Sequence, residues 1–214
     1  MDAHLRFKLY IAVVAIAFCC SLLRFRVGGS AFRTLSVLLG VTLVAESFAH
    51  YRAVVYHNNL AVYHIYTPIL LILTAIYYNQ STRLLRRYHT GVVVSVVAVI
   101  MEMLNTRYLQ PMHTFNSNYV LFTGFCIISM ALITFYQYYT DNNEINLISN
   151  PQFQVSLVFL FYWSSTFISY AFHEILPVKE FHKVYWFIWL VNMVTYSLLA
   201  LIFIFYKKQP EPSA

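Results

Sequence analysis

Apolar residues fall in long blocks separated by short polar breaks. Seven runs stand out, at approximately 8–25, 32–51, 60–79, 91–106, 117–139, 153–173 and 184–206. A helix that crosses the ~30 Å hydrocarbon core needs roughly 20 mostly apolar residues. The breaks are brief: RVGGSA, the region around HNN, STRLLRRYHT, LQPMHTFN, DNNEINLISNP and PVKEFH. Short connections imply antiparallel neighbours. The pattern predicts an all-α polytopic membrane protein, a seven-transmembrane-helix bundle over 1–206 with a short tail at 207–214. No repeat, second domain or low-complexity linker interrupts it.

Composition sharpens this picture. Of 214 residues 60% are hydrophobic and 10% charged, against about 25% charged in soluble domains. The 18 Tyr and 18 Phe suit interfacial belts and interhelix packing. The net charge of +6 sits in short loops, where Lys and Arg set topology; nothing in it points to nucleic acid. Cys19, Cys20 and Cys126 all lie inside apolar runs and read as small packing residues. The opening MDAHLRFK-LYIAVVAIAF resembles a signal peptide but lacks a small-residue cleavage site, so it is expected to remain as the first helix.

Charge then orients the bundle. Arg24, Arg26, Arg33, Arg83, Arg86, Arg87, Lys207 and Lys208 fall on one side. Arg6, Lys8, Arg52, Arg107, Lys179 and Lys183 fall on the other. The richer side is expected to be cytoplasmic, with the N-terminus outside and the C-terminus inside. On that topology His4, His50, His57, His64, His113, His173 and His182 all lie towards the outside, and only His89 inside. Glu46, Glu102 and Glu174 also lie at outer helix ends, with Asn58, Asn59, Asn105, Asn116, Asn118 and Asn192. The outer half therefore reads as a polar cup above a plain apolar base.

Intramembrane acids are rare and point to partners within the bundle. Glu46 and His50, four residues apart, share a helix face. Pro68 leaves the His64 carbonyl without its helical partner, which predicts a kink and a polar spot beside the imidazole. Ser164, Ser165 and Thr166 can hydrogen-bond across helices. The candidate ligand pocket comprises Glu46, His50, Asn59, His64, Tyr66, Glu102, Asn105, His173 and Asn192. It requires the second, third, fourth and sixth runs to approach at their outer ends. Glu46, His50, His64 and Glu102 are also candidate ligands for zinc or iron. The plainer alternative makes these acids structural hydrogen-bond partners. No rhodopsin-type lysine lies within the last helix, no glycine-rich phosphate loop occurs, and no HExxH pair is present. Three functions stay open: a sensor or accessory subunit, a metal-dependent membrane-integral hydrolase, and a structural scaffold. For the hydrolase, seven-helix ceramidase-like enzymes use histidines in the last helix, where this chain has Trp186, Trp189 and Asn192.

Four stretches carry a resemblance. They are NNLxxYHIYTP at 58–68, NTRYLQPMHTFNS at 105–117, NPxF at 150–153 ahead of FYWSS, and WFIWLVN at 186–192. Together they resemble a family of seven-helix inner-membrane proteins common in Bacteroidetes. Some of its members are similar to the membrane sensor part of histidine kinases. The resemblance implies a cytoplasmic C-terminus and a sensor role. The chain departs from the pattern at Ile69 and Leu70, where an acid often follows the proline, and at Gln154, where an aromatic is usual. Only eight residues follow Tyr206, so signalling is expected to pass through a separate membrane or cytoplasmic partner protein.

Overall fold

A computed structural model describes residues 3–141, 147–172 and 178–206. Backbone groups in lipid find no water, so each segment must satisfy its own hydrogen bonds, and the helix does this. All regular structure among the described residues is helical: α1 (Ala3–Arg24), α2 (Gly29–Tyr56), α3 (Leu60–Ser81), a short α4 (Arg83–Arg87), α5 (Thr90–Leu104), α6 (Ser117–Thr140), α7 (Pro151–Ala171) and α8 (Val178–Ile204). A π-helical turn, Asn105–Leu109, continues α5. Six helices are long and apolar enough to cross a membrane: α1, α2, α3, α5 with its π turn, α6 and α8. The exposed surface agrees, since Leu23, Val44, Val92, Phe125 and Ile168 face outward from five different parts of the chain. At 21 residues α7 is long enough too, but Gln152, Gln154, Ser156, Ser164, Ser165 and Thr166 dilute its apolar character.

Local chemistry sets the helix ends. Gly29, at φ +72°, occupies a left-handed conformation between α1 and α2 that a side chain would strain. His57 ends α2 in the same region, at φ 51°. Asn150 caps α7, its Oδ1 accepting from the Gln152 and Phe153 amides at 2.9 and 3.3 Å, and Pro151 fills the first helical position, where no amide is needed. α3 runs unbroken through Pro68, and the Thr67 hydroxyl donates to the Tyr63 carbonyl at 2.8 Å. Thr166 turns its hydroxyl back to the Tyr162 carbonyl of its own helix at 2.8 Å instead of reaching a neighbour.

The helices close into a ring. α1 packs on α2, α2 on α3, α3 on α6, α6 on α7, α7 on α8, and α8 back on α1. α5 stands outside the ring against α3. Trp189 Nε1 donates to the Arg6 carbonyl at 3.0 Å, joining α8 to α1 at one end. At the other end Arg24 donates to the Phe203 and Ile204 carbonyls, both at 3.2 Å, satisfying the last turn of α8.

Gly91 sets the distance between α5 and α3. A Cβ there would lie 2.6 Å from Asn79 Cβ and 3.1 Å from the Ala75 carbonyl oxygen. Neither atom is the end of a flexible side chain. Gly91→Val is therefore expected to force α5 away and cost about 1–3 kcal/mol. Thermal unfolding in detergent checks this; an unchanged midpoint would mean that the two helices do not pack this closely.

Candidate functional site

Two polar assemblies lie on neighbouring sectors of α3. The first is a dry network between α3, α5 and the segment that follows α5. His64 is 2% exposed and Glu102 8%. Such groups persist in an apolar interior only when their partners are supplied. His64 Nδ1 lies 2.8 Å from Glu102 Oε1, and its Nε2 lies 3.1 Å from the Thr114 carbonyl. That carbonyl can only accept, so Nε2 carries a proton. Thr106 donates to Glu102 Oε1 at 3.0 Å, and Asn116 Nδ2 reaches both carboxylate oxygens at 3.1 Å. Asn105 Nδ2 then donates to Asn116 Oδ1 at 2.7 Å. The π turn brings Asn105 and Thr106 onto this side together. Gln110 extends the latch, donating to Ser117 Oγ at 2.6 Å and accepting from the Asn118 amide at 3.0 Å.

The second assembly surrounds a cavity of about 520 Å³ inside the helix ring. α2 supplies Leu38, Leu39, Thr42 and Glu46, successive turns of one face. α3 supplies Leu60, Tyr63, Tyr66, Thr67, Leu70 and Thr74. From α8 come Ile188, Trp189, Asn192, Thr195, Tyr196 and Leu199, again a single helical stripe. α1 adds Arg6, Phe7 and Tyr10, and α7 adds Phe159, Tyr162, Trp163 and Tyr170. α5 contributes nothing to the lining. The walls are aromatic and apolar, with a few polar atoms placed among them, which is the usual make-up of a small-molecule site.

Glu46 is the acid of this cavity. Its Oε2 accepts from the Tyr63 hydroxyl at 3.2 Å, and Tyr10 stands beside the same carboxylate. Thr42 and Tyr66 share a hydrogen bond of 2.9 Å deeper in. The Tyr10 and Tyr196 rings meet edge to face, 5.9 Å apart. Arg6 lies near the N-terminal end of α1, its guanidinium 4.7 Å from the centre of the Trp186 ring.

No protein-family model, curated protein or solved structure matches the chain. The site's own geometry therefore carries the functional argument.

The residues expected to form one pocket fall in three places. Glu46, Asn59, Tyr66 and Asn192 line the cavity. His64, Glu102 and Asn105 belong to the dry network, and Asn116 touches both. His50 does neither: it stacks on Phe7, ring centres 3.7 Å apart, with His4 at 5.8 Å. His173 lies outside the described residues, as does Glu174. The four candidate metal ligands are divided accordingly. Among the described residues no three of His, Cys, Asp and Glu converge on one point; Glu46 meets tyrosines, and Glu102 meets one histidine and two amide or hydroxyl donors.

Several lining residues have no place in the sequence reading above. Tyr10, Tyr63, Tyr162, Tyr170 and Tyr196 read there as part of an interfacial belt, and Arg6 as a topology charge. A signal did exist in the α3 and α8 runs, where polar residues recur at helical spacing: Tyr63, Tyr66, Thr67 and Thr74, and Asn192, Thr195 and Tyr196.

Proposed function

We propose that this chain is a seven-span bundle of the bacterial inner membrane that binds a small ligand in its outward-opening central cavity. α7 is the seventh span, N-terminus outside and C-terminus inside. A change in helix packing on binding is passed to a separate protein, as in a sensor or accessory subunit. One observation carries the reading: six helices enclose a cavity of about 520 Å³ lined by Glu46, Asn192 and a shell of aromatic rings. A scaffold with no ligand has no use for a carboxylate held open in such a space, because burying charge costs free energy. The four sequence stretches that resemble the seven-helix sensor-like family also meet here. Tyr63, Tyr66 and Thr67, Phe115 and Asn116, Tyr162 and Trp163, and Trp189 and Asn192 all line this cavity.

Cysteine accessibility tests both cavity and orientation, in a background with Cys19, Cys20 and Cys126 replaced by alanine. Asn58→Cys and Asn192→Cys are expected to react with a membrane-impermeant thiol reagent added to intact spheroplasts. Tyr88→Cys is expected to react only in inside-out vesicles. Labelling of Tyr88→Cys from outside would invert the topology, and protection of Asn192→Cys from both sides would remove the open cavity. Site-specific photocrosslinking in native membranes tests the partner; a chain that stays uncrosslinked over its whole inner face would argue against transmission to another protein.

A further inference from the structure

Opposite charges that share a low-dielectric cavity attract strongly unless something else satisfies each of them. Arg6 and Glu46 both line this cavity. The ion pairs among the described residues are His64–Glu102 and Arg83–Asp141, and neither Arg6 nor Glu46 belongs to one. Each is held away from the other. The Arg6 guanidinium rests on the Trp186 ring, and its backbone is fixed by Trp189. Glu46 is oriented by Tyr63.

Both groups keep bonding capacity. Arg6 Nε is buried and has no hydrogen-bond partner. A carboxylate offers about four acceptor positions, and the tyrosines beside Glu46 leave some of these open. Thr195 is unsatisfied too: it lines the cavity, is 4% exposed, and its buried hydroxyl has no partner. Buried polar atoms in native proteins are nearly always paired, so the two unpartnered atoms, Arg6 Nε and Thr195 Oγ1, beside a carboxylate with acceptor positions to spare, call for an occupant. The spacing bears on its size. Arg6 and Tyr10 lie one turn apart on α1, about 5–6 Å, and Tyr10 stands beside Glu46. The faces of Tyr10, Tyr63, Tyr66 and Trp163 supply surface for an apolar body and for a cation.

We propose that the cavity binds a small free zwitterion with an apolar or aromatic body, its ammonium against Glu46 and its anionic group against Arg6. This rests on the ligand-binding reading above and adds the chemical class of the ligand. A zwitterionic lipid headgroup has the same charges. The closed helix ring separates the cavity from lipid, and that favours a water-soluble molecule.

The test uses the full chain in detergent and in nanodiscs, followed by calorimetry and by the fluorescence of Trp163 and Trp189. Two zwitterions serve as probes, phenylalanine and 4-(aminomethyl)benzoate, whose charged groups are separated by a single carbon and by a whole benzyl unit. Phenethylamine and benzylamine carry only the cation; phenylpropionate and benzoate carry only the anion. At least one zwitterion is expected to bind about tenfold or more tightly than its single-charge relatives. Glu46→Gln should weaken the zwitterion and the amine by about tenfold and leave the acid unchanged; Arg6→Gln should do the reverse. Equal binding of all three charge types, preference for an amine or acid alone, or no binding of either zwitterion overturns the assignment. So does unchanged zwitterion affinity in both variants. Loss of binding only when the nanodisc contains phosphatidylethanolamine would give the site to a lipid headgroup and also overturn it. Should either variant fail to fold, the probe comparison on the unaltered protein decides alone. The thiol labelling of Asn192→Cys reports an open cavity independently, so the wrong ligand class and the absence of a site give different results.

Discussion

Glu102→Ala is expected to lower the unfolding midpoint in detergent by on the order of 10 °C, corresponding to about 3–5 kcal/mol. The magnitude follows from what the carboxylate leaves behind. His64, Thr106 and Asn116 all direct polar atoms within 3.1 Å at Glu102, which is only 8% exposed. Removing the acceptor strands all of them, and each stranded group costs roughly 1–3 kcal/mol less whatever it recovers by relaxation. The network also anchors the segment between α5 and α6, through Thr114 and Asn116. The same variant should therefore speed proteolysis or amide exchange across 105–117. Replacing both members, as His64→Phe with Glu102→Leu, should restore a good part of the loss, because a buried pair exchanged for apolar groups is often neutral. A midpoint within about 2 °C of the unaltered protein for the single variant would show that the network bears little of the fold's stability.

Trp163→Ala is the second large effect, about 3–5 kcal/mol. Trp163 is 5% exposed and packs its ring on Gly124 of α6, where a Cβ would come within 3.0 Å of the indole. Its deletion removes a cavity wall and the main filler between α6 and α7 together. Gly124→Leu in the unaltered protein should also destabilise, by about 1–3 kcal/mol, since the Trp163 and Phe167 rings both crowd the position. In the Trp163→Ala background the same leucine enters vacated space and should be neutral or stabilising. The cycle is thus expected to be strongly non-additive, and unfolding midpoints of the four proteins measure it. Simple additivity would mean that the two positions do not touch.

The all-helical character and the six apolar helices were open to sequence reasoning because lipid imposes a single rule on backbone hydrogen bonds, and that rule leaves its mark as run length. Position along a helix was legible too: Glu102 and Asn105 lie at the end of α5, as their place in the fourth run implies, whereas Glu46 sits in the interior of the longer α2. Direction around the axis was harder. Glu102 and Glu46 read as members of one cup, yet α5 stands outside the ring and turns its acid to the back of α3. Nothing in hydropathy records which helix neighbours which. Glu46 and His50 share a nominal face, but one opens into a cavity and the other stacks behind Phe7. Arg6 shows a different limit, since counting it as a topology charge says nothing of where its guanidinium turns.

α3 has two tasks on adjacent sectors. Tyr63 and Tyr66 look into the cavity, while His64 and Asn79 look towards α5. One rigid cylinder carries both sets of teeth, like a shaft between two gears. A rotation of α3 about its axis would move Tyr63 relative to Glu46 and His64 relative to Glu102 together. α5, which contributes nothing to the cavity wall, is thereby tied to that wall through a single helix.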